Sequence, residues 1–202
     1  MPHALIKHSK LIILWGLVVA VVVAGVSLLF PHYYSAETQV LIISRDRSGL
    51  DPFTQAKYAQ SIGDNLAHVI QTGDFFGKVM EYNGNSFNKS RWLNVDLREQ
   101  RKRWESDVKA EMVYGTSLLK LTAYSPTQAD AATLSVAVTQ TLISHGWEYI
   151  GGDVSIKSVN SPLASRWLTR PNIPLNAAVG FGVGALLAII WVTRYKRHTF
   201  TS

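Results

Sequence analysis

Leu11–Phe30 reads LIILWGLVVAVVVAGVSLLF. It holds no charged residue and no proline, and its one clearly polar side chain is Ser27. Twenty residues at about 1.5 Å rise reach roughly 30 Å, the thickness of a bilayer's hydrocarbon core. In lipid a backbone must satisfy its own hydrogen bonds, so the stretch is expected to be a helix. Val18, Val19, Val21, Val22 and Val23 are stiff at χ1 and would weaken a helix in water; an apolar solvent overrides that cost. A cleavable signal peptide has a shorter apolar core, about 7–15 residues, and a small-residue cleavage site. Here Phe30-Pro31-His32-Tyr33-Tyr34 follows, with aromatic residues suited to a membrane interface. The stretch reads as a retained transmembrane helix rather than a leader or a buried core helix.

The chain has 202 residues, enough for one modest domain plus membrane elements. Cysteine is absent, which excludes a disulfide framework, thiol catalysis and thiolate metal sites. The formal charge is +6, but its distribution says more than the total. All 14 acidic residues lie between Glu37 and Asp153. Residues 31–174 carry 15 of the 20 Lys and Arg, so this segment is close to neutral, at +1 (15 − 14). The other five cations, Lys7, Lys10, Arg194, Lys196 and Arg197, sit in two short tails without a neighbouring acid. The basic balance therefore belongs to membrane flanks, and a nucleic-acid surface is not supported.

Residues 1–10 form a tail that the positive-inside rule places in the cytoplasm. After the first span (11–30), an extracytoplasmic α/β domain is expected over 31–160. Tyr33–Arg45 reads as a strand; Val40 and Ile42 alternate with Leu41 and Ile43, which predicts a strand covered on both faces. Asp51-Pro52 starts a helix, with Ala56, Ala59, Ile62, Leu66 and Val69/Ile70 in one stripe. Gly73-Asp74 breaks and recaps it before a second helix over Phe75–Tyr82. Asn83–Ser86 reads as a loop, and Asp96 with Glu99 resembles a capping box opening a helix through Trp104. Val108, Ala110 and Met112 alternate with polar residues, as do Leu119, Leu121 and Ala123 after the turn Tyr114-Gly115-Thr116, which predicts a hairpin. Ser125-Pro126 starts another helix, with apolar positions at Ala129, Ala132, Val136, Ile143 and Trp147 and a second stripe at Leu134, Val138 and Leu142. Gly151-Gly152 ends it, and Val154, Ile156 and Val159 form a last strand. The order β-α-β-β-α-β predicts an α+β domain, a small sheet with helices on one face. A proline-containing connector (161–174) leads to a second span (175–193, LNAAVGFGVGALLAIIWVT). There Gly180 and Gly184 form a GxxxG pair for helix–helix packing. The tail 194–202 opens with Arg194-Tyr195-Lys196-Arg197, so Lys7, Lys10, Arg194, Lys196 and Arg197 read as topology determinants that keep both termini cytoplasmic.

This layout resembles the bacterial polysaccharide co-polymerases, the Wzz-type chain-length determinants and their shorter capsule and exopolysaccharide relatives. The residues that carry the resemblance are ordered along nearly the whole chain. They are the first span running into Tyr33-Tyr34-Ser35-Ala36, the helix Gln55–Gln71, Phe75–Met80, and the strand Leu118–Ser125 entering Pro126–Ala132. They end with Val154-Ser155-Ile156, Arg170–Pro174 and the glycine-rich second span. Long members carry an extended helical hairpin before the final strand; here Ile150 and Val154 are almost adjacent, so that arm is missing. With a lone Tyr195 in the tail and no kinase domain, the resemblance points to a compact member separate from its kinase.

Catalytic signals are thin. His32, His68 and His145 fall outside any metal-spaced pattern such as HExxH. No GxSxG, P-loop or GxGxxG arrangement is present in the external segment, and scattered carboxylates nominate no glycosidase pair. No catalytic residue, metal or cofactor is therefore expected. The densest basic-aromatic cluster is Arg98, Arg101, Lys102 and Arg103 with Trp92 and Trp104. It reads either as a solvated helix face with inward tryptophans, or as a contact for an anionic glycan, a lipid phosphate or a neighbouring subunit.

The resemblance implies a non-enzymatic, oligomeric inner-membrane scaffold that regulates the chain length, polymerisation or export of a surface polysaccharide such as O-antigen, capsule or exopolysaccharide. Its implied partners are copies of itself in a ring, membrane lipids, a polysaccharide polymerase with its lipid-linked glycan, and a separate tyrosine kinase. The alternative is a membrane-anchored extracytoplasmic sensor or ligand-binding module, whose tails of about ten residues would be short for a signalling output.

Overall fold

A computed structural model describes residues 8–44, 52–84, 87–150 and 154–198. The chain divides into two units: residues 1–32 with 168–202, and residues 33–167.

The first unit is a pair of helices, α1 (Ser9–Ser27) and α8 (Ile173–His198). α8 runs beyond the apolar stretch at both ends, whereas α1 starts two residues before Leu11 and ends at Ser27, short of Phe30. Asn172 opens α8, its Oδ1 accepting from Leu175 N at 3.1 Å, and Pro174 lies in the first turn, where its missing N–H costs nothing. Apolar side chains point outward all round the pair: Leu14 is 61 % exposed, Val21 62 % and Leu186 61 %. A water-soluble core helix would bury such residues; helices apolar over their outer surface suit lipid.

The second unit holds a sheet of order β2-β3-β1-β4, with β5 also on β1 and every pairing antiparallel. The strands are β1 (Tyr34–Ser44), β2 (Val108–Met112), β3 (Leu118–Ser125), β4 (Val154–Ser158) and β5 (Leu163–Ala164). The helices are α2 (Pro52–Val69), α3 (Gly73–Glu81), α4 (Ser90–Leu93), α5 (Leu97–Asp107), α6 (Gln128–His145) and α7 (Trp147–Ile150). The α+β class with a small antiparallel sheet between two apolar helices is as the sequence indicates.

Register explains the core. Ala36, Thr38 and Val40 lie opposite Ala123, Leu121 and Leu119, and Ile42 lies opposite Ile156. Because side chains alternate across a strand, this row shares one face, and all these residues are buried. The α2 stripe Ala59, Ile62 and Leu66, followed by Ile70, closes over it with Leu134, Val138 and Leu142 of α6. Helix α2 comes so near β2 that a Cβ on Gly63 would fall 2.1 Å from Met112 Sδ. The β2–β3 hairpin turns at Gly115, where φ is +73°, a conformation that favours glycine.

Several local expectations are corrected. β1 is not buried on both faces: Glu37 is exposed and Gln39, Leu41 and Ile43 are half-buried. The first-named stripe of α6 is not its core face; Ala129 is exposed and Trp147 is 63 % exposed. The second stripe, Leu134, Val138 and Leu142, is the core face, and Ala131, Ser135, Thr139 and Thr141 are buried beside it. Thr127, not Ser125, caps α6, accepting from Asp130 N at 3.1 Å and donating to its carboxylate at 2.9 Å. Thr72 rather than Asp74 caps α3, and α6 ends at Gly146. β5 was not foreseen. Lys7, Asp51 and Gly151-Gly152 lie outside the described residues.

Candidate functional site

The basic-aromatic cluster is built on α4 and α5. Asp96 caps α5, its carboxylate accepting from Arg98 N at 3.3 Å. Glu99 does not reach back to the cap; it accepts from Arg103 Nε at 3.0 Å, one turn on. The structure divides the cluster in two. Trp92 and Trp104 are 2 % and 1 % exposed, so neither ring is open to an external sugar. They join an edge-to-face chain, Phe76–Trp104–Trp92–Phe87, with centroids 5.1, 6.0 and 6.0 Å apart. Such contacts contribute about 0.5–1.5 kcal/mol each beyond area burial. Trp104 Nε1 donates to the Ile70 carbonyl at 2.8 Å. Arg98, Arg101 and Lys102 are exposed and Arg103 is half-buried.

Asp107, at the C-terminus of α5, is the polar centre of this region. Its side chain is 2 % exposed and accepts from Arg91 Nε at 2.6 Å and Nη2 at 3.2 Å. It also accepts from Trp92 Nε1 at 3.1 Å. Burial pulls the Arg91 guanidinium down, but the hydrogen bond and charge of Asp107 outweigh it, and the net shift is upward. Arg91 also lies 4.9 Å from the centroid of the Tyr33 ring. Arg103 Nη1 and Gln100 Nε2 donate to the carbonyls of Arg91 and Trp92, at 3.0 and 2.9 Å. Arg91, Gln100 and Asp107 carry no signal in the sequence, because nothing in a spacing of sixteen residues announces the Arg91–Asp107 ion pair.

A second polar network ties α3 to α7. Lys78 bonds Glu148 and lies 3.4 Å from Asp74; His145 Nδ1 is 2.7 Å from Glu148 Oε1, and the Tyr149 hydroxyl bonds Asp74. The Glu148 carboxyl is held below its ordinary range, chiefly by the Lys78 hydrogen bond. Asp74 is held low chiefly by Tyr149, and Glu148 raises Lys78. His68 is exposed and His32 half-buried. Among the described residues no group of three or more His, Asp or Glu is placed to hold a metal ion.

In the helix pair, Gly180 and Gly184 face α1. A Cβ on Gly180 would fall 3.0 Å from Val23 Cβ; one on Gly184 would fall 2.8 Å from Val19 Cβ and 2.9 Å from the Trp15 carbonyl. Gly180, Gly184, Ala188 and Val192, four residues apart, are the buried positions among the described side chains of α8. Gly16 answers from α1, where a Cβ would meet the Phe181 ring at 2.8 Å. Asn176 Nδ2 donates to Ser27 Oγ at 3.0 Å across the pair. The GxxxG spacing marks Gly180 and Gly184, but no spacing marks Gly16 or the Ser27–Asn176 bond. Lys10 and Arg194 are exposed; the side chains of Lys196 and Arg197 lie outside the described residues.

Fold and site define a class: a membrane protein with a small α+β module between two apolar helices. The family model for Wzz, chain length determinant protein, matches residues 2–81, which spans α1, β1, α2 and α3. Over that stretch, 80 of the 202 residues, the chain is similar to the Wzz chain-length determinants. A search of curated proteins found no match. Two helices, Ser9–Ser27 and the Ile173–Arg194 part of α8, are long and apolar enough to cross a membrane.

Proposed function

We propose that the protein is a non-enzymatic scaffold of the inner membrane that sets the length, polymerisation or export of a bacterial surface polysaccharide. The observation that carries this reading is the Wzz match over residues 2–81, joined to an α+β module bracketed by two spans. In this reading both tails are cytoplasmic, held there by Lys7, Lys10, Arg194, Lys196 and Arg197. The module lies on the outer side of the membrane. Copies assemble into a ring that holds a polymerase and its lipid-linked glycan together. A separate tyrosine kinase regulates the assembly, and nucleic acid takes no part. The exposed cations Arg98, Arg101 and Lys102, with Arg103 beside them, are the proposed contact for an anionic group on glycan, lipid or a neighbouring copy. Buried Trp92 and Trp104 support that face from beneath.

The test is deletion of the gene, followed by electrophoresis of the surface polysaccharide. The expected result is a shifted length distribution, restored by the wild-type chain. An unchanged distribution overturns the reading. Mass measurement in detergent tests the ring; a monomer or dimer would return the protein to the sensor alternative.

A further inference from the structure

The sheet edge beside β1 is interrupted. β4 pairs with Val40–Ser44 and β5 with Ala36 and Glu37, so the chain between them bulges past Thr38 and Gln39. Two bonds hold the bulge: Val159 N donates to the Gln39 carbonyl at 2.9 Å, and Gln39 N donates to Asn160 Oδ1 at 2.8 Å. Between the bulge and the flank of α6 lies a cavity of about 300 Å³ that opens to solvent. Thr38, Val136, Thr139, Gln140, Asn160 and Pro162 are among its walls. Its volume equals that of roughly ten waters, at the small end of ligand sites.

Two features of this cavity point to a ligand. Thr139 is 3 % exposed, yet its hydroxyl has no hydrogen-bond partner among the described residues. A threonine in a helix ordinarily bonds back to a carbonyl three or four residues earlier, as Thr133 does to Ala129 at 3.1 Å. Neighbouring Thr38 and Ser135 satisfy each other at 2.7 Å. Rotation about χ1, which has two accessible settings for a helical threonine, exchanges the Thr139 methyl and hydroxyl without moving the backbone. The second feature is chemical. Among the described residues no charged side chain lines the cavity; its polar groups are hydroxyls and amides. These both donate and accept. An ion would find no counter-charge there, and a purely apolar ligand would leave the polar groups unpaired.

We propose that this cavity binds a neutral pyranose ring. Thr139, Gln140 and Asn160 take its hydroxyls, and Val136 and Pro162 meet its C–H face. The ring as part of a glycan chain rests on the polysaccharide reading above; the match of neutral hydroxyls to the cavity does not.

The test is saturation-transfer NMR on the full chain in detergent. The probes are methyl glycosides of glucose, galactose, mannose and N-acetylglucosamine, with maltotriose as a ring within a chain and glucuronate as the charged control. Transfer to at least one neutral glycoside, with much less to glucuronate, is the expected result. Thr139→Val, which keeps the shape and removes the hydroxyl, should weaken binding about tenfold, the worth of one hydrogen bond. Gln140→Trp, at the exposed rim, should abolish it while circular dichroism stays unchanged. A stronger response to maltotriose than to methyl glucoside supports a glycan chain as the source; an equal response overturns that source. The proposal is overturned if no neutral sugar binds, if glucuronate binds equally well, or if Gln140→Trp binds like wild type. If the sugars fail to bind while gene deletion still shifts polysaccharide length, the site falls and the functional reading stands.

Discussion

Asp107→Ala removes the one carboxylate that satisfies both Arg91 and Trp92, and its cost follows from what is left behind. Trp92 is 2 % exposed, so its indole N–H loses its acceptor in the core, at about 1–3 kcal/mol. The charge-assisted bonds from Arg91 contribute roughly 1.5–3 kcal/mol more. Arg91 is itself 29 % exposed and can turn to water, so the loss falls short of the 3–5 kcal/mol typical of a fully buried pair. We expect a total near 3 kcal/mol, or roughly 10 °C in the midpoint of unfolding. The assay is denaturation of the full chain in detergent, followed by tryptophan emission. Of the six tryptophans, Trp15 and Trp191 lie on the spans, and Trp147 and Trp167 are already 63 % and 84 % exposed. The red shift on unfolding therefore comes from Trp92 and Trp104. Asp107→Asn, which keeps an acceptor, should cost about half as much. Trp92→Phe should rescue part of the loss in Asp107→Ala, because it removes the orphaned donor. A loss below about 1 kcal/mol, or strict additivity of the two substitutions, would refute this account of the region.

Three further outcomes can be checked. The cysteine-free chain allows disulfide trapping between Ser27→Cys and Asn176→Cys; Gly184→Leu should cut the yield several-fold. Gly25→Leu should not, because a Cβ at Gly25 meets nothing within 4 Å. Cysteines at Tyr114, 90 % exposed at the hairpin tip, and at Lys10 and Arg194 report topology. An impermeant thiol reagent applied to intact cells should label only the first, and labelling of Lys10→Cys from outside would reverse the assignment. Acid should weaken the α3–α7 tie. Glu148 and Asp74 lie below their ordinary 4.5 and 3.8. A lowered carboxylate adds stability that is complete above its unfolded pKa and lost as pH falls through the folded one. Unfolding should thus become easier below about pH 4.5, and Glu148→Gln should flatten that limb; an unaltered slope would show that the network carries no stability.

The spans were legible because their signal is local: a charge-free run long enough to cross a bilayer needs no partner to be read. The hairpin was legible for the same reason, since polar and apolar residues alternate strictly over Val108–Met112 and Leu119–Ala123. β1 was harder. Val40, Leu41, Ile42 and Ile43 are all apolar, so the sequence carries no alternation to say which pair faces inward. Pairing decides it: Val40 lies opposite Leu119 and Ile42 opposite Ile156, where α2 and α6 cover the sheet. In α6 the stripe Leu134, Val138 and Leu142 was legible and faces the core, whereas the buried Ser135, Thr139 and Thr141 beside it carry no hydrophobic signal.

The candidate site was half legible for a related reason. Cations and tryptophans cluster between Trp92 and Trp104 in sequence, which leaves open whether the rings turn inward or share the surface with the cations. The fold sends them in opposite directions, because a helix with a polar majority still turns one side to the core, and Trp104 is on that side of α5. The buried rings fix the position of α5, and Asp107 locks α4 to its end; Arg98, Arg101 and Lys102 are then presented by a braced helix rather than by a loop. That bracing is what gives the exposed cations a defined geometry. It also sets apart two ways of losing a contact there. Charge reversal at Arg101 should change recognition with stability intact, whereas Asp107→Ala should release the whole face, and a variant pair with the same effect on both measurements would break the argument.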